Sequence, residues 1–149
     1  MSRPQIKRFR LCAHPGYHVR VVVWETLREL EDHYGRHNGA QGKGTGGFFT
    51  QCHYGAATRV FDRKRPGTIH VCRERWNTEI VAHECLHAAL VLYGATLGGF
   101  KVQDIPMEMD EPLCYSIGRL VSDVQKWLWE IAPNEKWSKS ECRPSSCNE

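Results

Sequence analysis

The sequence predicts an α+β domain: a small, mostly antiparallel sheet packed against one central and one C-terminal helix. Three observations carry this expectation. Val19-Arg20-Val21-Val22-Val23 is a β-branched run that suits a pleated, half-buried surface. The stretch Ile80 to Tyr93, IVAHECLHAALVLY, is apolar and stops at Gly94, as a helix does. Leu113, Ile117, Leu120, Val124, Leu128 and Ile131 recur at helical spacing.

The elements follow in order. Residues 1–17 are basic, punctuated by Pro4, Pro15 and Gly16, and no element is assigned to them. His18 to Trp24 is a strand, and Glu25 to Gly35 a helix on Leu27, Leu30 and Tyr34. Residues 35–47 hold six glycines and read as a flexible loop. Phe48 to Tyr54 and Thr58 to Phe61 look like short strands, residues 62–67 like a turn, and Thr68 to Cys72 like an alternating strand. Asn77 caps the central helix. A Gly-rich, acidic link over 94–110 leads to the last helix, Glu111 to Ile131. Residues 133–149 are polar, Ser- and Lys-rich and expected to be disordered, which leaves one domain over 1–132.

Composition narrows the function classes. With 149 residues, 41% hydrophobic and 25% charged, the chain can bury a core without disulfides or a structural metal. A net charge of +3 permits nucleic-acid contact without arguing for it. No apolar run reaches membrane-span length, and MSRPQIKRFRLC has no apolar stretch behind its charges, so a cytoplasmic protein without a membrane partner is expected. Seven cysteines with no C-x-x-C pair read as free thiols.

The chemistry concentrates in residues 83–87, His-Glu-Cys-Leu-His. On a helix, His83 and His87 lie one turn apart on one face, so both imidazoles can reach one Zn²⁺. Glu84 is rotated about 100° from His83, a place suited to a water beside the metal. Neutral imidazole ligands leave zinc the charge to acidify that water, and a carboxylate beside it can carry its proton to a leaving amine. The acidic and basic groups of 80–93 are His83, Glu84, His87 and the Tyr93 phenol, on a helix expected to be buried nearly all round. Such groups are costly there unless paired or metal-bound; the competing reading is satisfied core histidines.

This H-E-x-x-H with uncharged neighbours and no proline, preceded by the strand Thr68 to Cys72, resembles the zincin metallopeptidases over about residues 67–131. The likeness implies an edge strand beside the active helix, here 68–72, pairing with an extended peptide or protein substrate. It also implies a third zinc ligand from a downstream helix, as in the gluzincins. Glu111, 24 residues after His87, is the first choice, with Glu108 and Asp110 in reserve. Ser116, Arg119, Asp123, Lys126 and Glu130 are read as the solvent face, leaving Glu111 inward beside Cys114, Tyr115 and a Gly118 that permits close helix approach. No His follows His87, so a third-His ligand set is excluded. The longer string, with D-E-P-x-x-Y-x-x-G after it, is similar to small metallopeptidase-like proteins of bacteriophages. Many gluzincins have an acidic residue four positions after the Glu ligand. Tyr115 stands there instead, to orient a ligand, to donate to the oxyanion, or merely to pack.

Other features carry less. Gly42-Lys43 fails the phosphate-loop pattern, which needs Gly at His37 and Ser or Thr at Gly44. Cys12, His14 and His18 match no standard metal spacing. Cys85 points off the His83–His87 face, toward packing. Arg3, Lys7, Arg8 and Arg10 read as a solvated basic end. Zinc-dependent hydrolysis of a peptide is the leading expectation. The alternatives are a zinc-containing binding or inhibitor protein and a nucleic-acid-associated protein.

Overall fold

The computed structural model describes residues 3–10, 17–38, 46–51, 53–54, 60–61, 67–96 and 107–133. Their elements run β1 (Gln5–Arg10), β2 (His18–Trp24), α1 (Leu27–Asn38), β3 (Gly47–Gln51), β4 (His53–Tyr54), β5 (Val60–Phe61), β6 (Gly67–Cys72), α2 (Thr78–Thr96) and α3 (Met107–Ile131). This is an α+β fold. A four-stranded sheet has the order β1-β2-β6-β3, and β4 and β5 form a separate pair. The larger sheet is mixed: β1–β2 and β3–β6 are antiparallel, β2–β6 parallel. Residues 39–45, 62–66, 97–106 and 134–149, with Cys12, His14, Cys142 and Cys147, lie outside the described residues.

Two differences from the sequence expectation matter for function. First, β6 is no edge strand. Register partners on both sides, Arg20 to Trp24 of β2 and Gly47 to Gln51 of β3, engage its backbone, and all six of its residues are buried. An open edge among the described residues is that of β3. Second, β1 exists where no element was assigned. Five of its six residues are exposed and only Phe9 is buried, so the hydrophobic alternation that marks a strand is almost absent.

The helix ends have local causes. A Thr26–Glu29 capping box starts α1: Thr26 Oγ1 accepts from Glu29 N–H at 3.2 Å, and Glu29 Oε2 accepts from Thr26 N–H at 3.4 Å. The helix runs through Gly35 to Asn38. Asn77 Oδ1 caps α2, accepting from Ile80 N–H at 2.8 Å. Pro112 sits inside α3, which begins four residues before the expected start.

The sheet separates two layers. On one face Leu30, Phe48 and Cys72 form a core with Trp24, Leu27 and Tyr34, closed by α1. Buried His70 joins it through a fixed relay. An indole N–H only donates, so Trp24 Nε1–H gives to His70 Nδ1 at 3.2 Å and the proton of His70 stands on Nε2, facing Thr50 Oγ1 at 3.0 Å. The Thr50 hydroxyl donates in turn to Thr68 O at 3.3 Å. On the other face Val19, Val21, Val23, Ile69 and Val71 meet Val81, Cys85, Ala88 and Leu92 of α2 and Leu120, Val124 and Leu128 of α3. Trp76 Nε1–H donates to Ala132 O at 2.8 Å and ties down the end of α3.

Close approach of β3 to α2 depends on two glycines. A Cβ on Gly46 would meet Ile80 at 2.6 Å and Arg75 O at 2.9 Å; one on Gly47 would meet Ile80 at 2.8 Å and His70 O at 2.9 Å. Gly47→Ala is therefore expected to destabilise the fold by about 1–3 kcal/mol through overpacking, read from the denaturant midpoint. A neutral substitution would mean that β3 and α2 can separate freely.

Candidate functional site

α2 is not buried all round. Val81, Cys85, Ala88 and Leu92 face the sheet, while His83, Leu86 and His87 are exposed. At 100° per residue, the His83–His87 row lies about 150° from the buried row, and Glu84 lies between the two. The core thus holds the helix by one side and presents the histidines on the other.

The two imidazoles converge. His83 Nε2 and His87 Nε2 stand 3.0 Å apart, with ring centroids 4.7 Å apart and planes at 79°. Two nitrogens bound to one zinc at tetrahedral angles would stand about 3.3 Å apart, so a small opening of the pair accommodates the ion. Burial first, and the neighbouring His83 second, lower the His87 pKa, which favours the neutral imidazole a ligand must be. The Phe49 ring of β3 lies nearly parallel to that of His87, at 11° and 6.4 Å.

Glu84 is 6% exposed, and no hydrogen bond holds its carboxyl among the described residues. Burial pushes its pKa up to about 7, with His83 pulling the other way. It lines a cavity of about 390 Å³ together with Gly46, Gly47, Asn77, Glu79, Ile80 and His83. A buried carboxyl next to an imidazole pair, opening into a cavity, can accept and return a proton. Cys85 belongs to the buried row, and burial pushes its thiol up to about 12, so it is inert packing.

The expected partners from α3 do not join this group. Leu113 and Ile117 pack on Ala89 and Leu90 of α2. Glu111, two residues before Leu113, is rotated about 160° from it. It is exposed and shares an outward cavity with Cys114, Tyr115, Gly118, Arg119 and Ser122. Tyr115 is 76% exposed, and a Cβ on Gly118 would meet nothing within 4 Å, so neither faces α2. Ser116, placed by its polarity on the solvent face, is 3% exposed. Charge and polarity set that face about a quarter turn off, because Cys114, Tyr115, Gly118 and Ser122 also point out. Among the described residues, no three His, Cys, Asp or Glu come together as a metal group. The side chains of Glu108 and Asp110 lie outside the described residues.

Sequence reasoning missed the contribution of β3. The Cys72 N–H donates to Gly46 O at 2.9 Å, and Gly47 stands opposite Val71. The antiparallel alternation then turns the backbone groups of Phe48 and Thr50 toward β6, and those of Gly47 and Phe49 outward along the open edge. These outward groups border the cavity at Gly47 and the histidine pair at Phe49. The available signal was Gly46-Gly47-Phe48-Phe49, where two glycines precede an aromatic for each face.

Comparison with family models, curated proteins and solved structures finds no match to the chain.

Folding raises the Glu84 pKa from 4.5 to about 7, so the stability cost is absent below about 4.5 and complete above about 7. In chelator-treated protein, Glu84→Gln should gain stability over wild type as pH rises through that window. Denaturant melts on either side of it read the difference, and a difference independent of pH would contradict the carboxyl's desolvation.

Proposed function

We propose that this chain is a zinc-dependent peptidase of zincin-like type. The observation that carries the reading is the approach of His83 Nε2 and His87 Nε2 to 3.0 Å beside a buried Glu84, without a hydrogen bond among the described residues, at a cavity. In this reading His83 and His87 hold the ion as neutral donors. The third donor is an acid of the first turns of α3, where Glu108, Asp110 and Glu111 stand. Motif spacing favours Glu111. Helical phase favours Asp110, because it occupies the row that continues through Leu113 and Ile117, the residues packed on α2.

When bound, the zinc would acidify a water and polarise a carbonyl. Glu84 takes the water's proton and hands it to the leaving amine. The substrate lies extended along β3 rather than β6, because Gly47 and Phe49 offer backbone groups that are unused among the described residues. Leu86, 41% exposed one residue before His87, offers an apolar contact to a substrate side chain.

Purified protein is expected to carry one zinc per chain and to cleave an unfolded protein substrate. Glu84→Gln should keep the metal and lose at least about 100-fold in activity, while His87→Ala should lose the metal. Equal activity of wild type and Glu84→Gln would overturn the peptidase reading; zinc without activity in either would leave a binding protein.

Asp110→Asn and Glu111→Gln tell the third donors apart. The variant lacking the true donor should weaken zinc binding by more than about 100-fold, beyond the usual cost of an outer partner, in competition against a colorimetric chelator. If neither variant weakens binding, α3 supplies the donor through neither residue.

A further inference from the structure

We infer that the strand pair β1–β2 carries a nucleic-acid-binding surface, on the sheet face opposite the histidine pair. On β1 the alternation of side chains puts Ile6, Arg8 and Arg10 on one face and Lys7 and Phe9 on the other. Lys7 and Phe9 belong to the α2–α3 side, where the Lys7 ammonium sits 5.4 Å from the Phe9 ring centre and 5.6 Å from that of Trp127. Arg8 and Arg10 therefore point to the opposite side. The register sets Arg8 directly across from Arg20 and Arg10 across from His18.

Two arginines directly opposite each other are unfavourable in a sheet, with Cβ atoms only about 4.5–5.5 Å apart. No ion pair among the described residues relieves them: Arg73 is taken by Glu25 and Arg119 by Asp123. The Arg20 Nε is shielded from solvent and has no hydrogen-bond partner among the described residues. A half-buried guanidinium with one shielded, unused donor, beside a second and a third exposed guanidinium, costs stability that an anion would return. Arg8 and Arg10 repeat every second residue along a rigid strand, about 7 Å apart. A row of fixed, repeating cations matches a partner whose anions also repeat, which is a phosphodiester backbone. Guanidinium forks take phosphate oxygens two at a time, and Ile6, 55% exposed on the same face, supplies apolar contact to a sugar or base.

The charges lie on a sheet face rather than in a flexible tail, so position as well as sign can be tested. Binding of fluorescein-labelled single- and double-stranded oligonucleotides to the full chain is measured by anisotropy over a salt series. Wild type should bind, and Arg8→Gln and Arg10→Gln should each weaken binding about tenfold and lower the log–log salt slope by about one. Arg8→Gln/Arg20→Gln should lower the slope by about two, while its melting temperature stays equal to wild type or rises as the opposed charges are removed. Lys7→Gln removes the same charge from the same strand on the other face and should change binding by less than about twofold. Failure of wild type to bind at low salt overturns the inference. So does equal weakening by Lys7→Gln, which would leave only net charge. Arginine-dependent binding to vesicles of anionic lipid, with no binding to either oligonucleotide, overturns it in favour of a membrane surface.

Discussion

The seating of α2 against the sheet is the constraint on which the other features rest. Val81, Cys85, Ala88 and Leu92 fill the space over Val21, Ile69 and Val71. Full burial of Val81 or Leu92 contributes about 1.5–3 kcal/mol each relative to exposure. That row fixes the rotation of the helix. With the rotation fixed, His83 and His87 emerge together on the far side and Glu84 is caught at the boundary, buried yet bordering a cavity. A helix apolar on every side would have had no such preference. The small side chains Ala88 and Ala89 and the exposed Leu86 show instead that packing follows shape as well as hydrophobicity.

The same geometry explains what the sequence revealed. Strand β2 and the helix α2 were legible because their signals are local: a β-branched run, and an Asn cap before an apolar stretch. The spacing of His83, Glu84 and His87 needed only helical periodicity to place all three. The central place of β6 was not legible, because a strand buried on both faces and an edge strand can share the same five or six residues, and only partners distinguish them. The outward row of α3 was misjudged for a related reason. Neutral Tyr115 and Gly118 carry no charge to announce exposure, while Ser116 is small enough to be buried. Strand β1 was hidden because an edge needs only one buried anchor, and Phe9 provides it.

The sheet also keeps its two faces chemically distinct. One carries the α2–α3 layer with the histidine pair and the open edge of β3. The other carries α1 at one end, over Phe48 and the His70 relay, and the opposed arginines of β1 and β2 at the other. Alternation along each strand is enough to enforce this division, since Phe48 and Phe49 are neighbours in sequence yet serve different cores. A single-residue slip of β3 would exchange them and withdraw the ring beside His87.

The parallel pairing of β2 with β6 has a kinetic meaning. Arg20 stands opposite Thr68, so the central ladder joins segments almost fifty residues apart, and the closure of that long loop must precede any reward from the pairing. The β1–β2 hairpin can form as soon as it is synthesised, but α2 has no floor to settle on until β6 arrives beside it. One helical turn is enough to bring the imidazoles side by side, but Glu84 is buried at its cavity only when α2 is seated on β6, so a chain released before that pairing carries the histidines without the desolvated carboxyl.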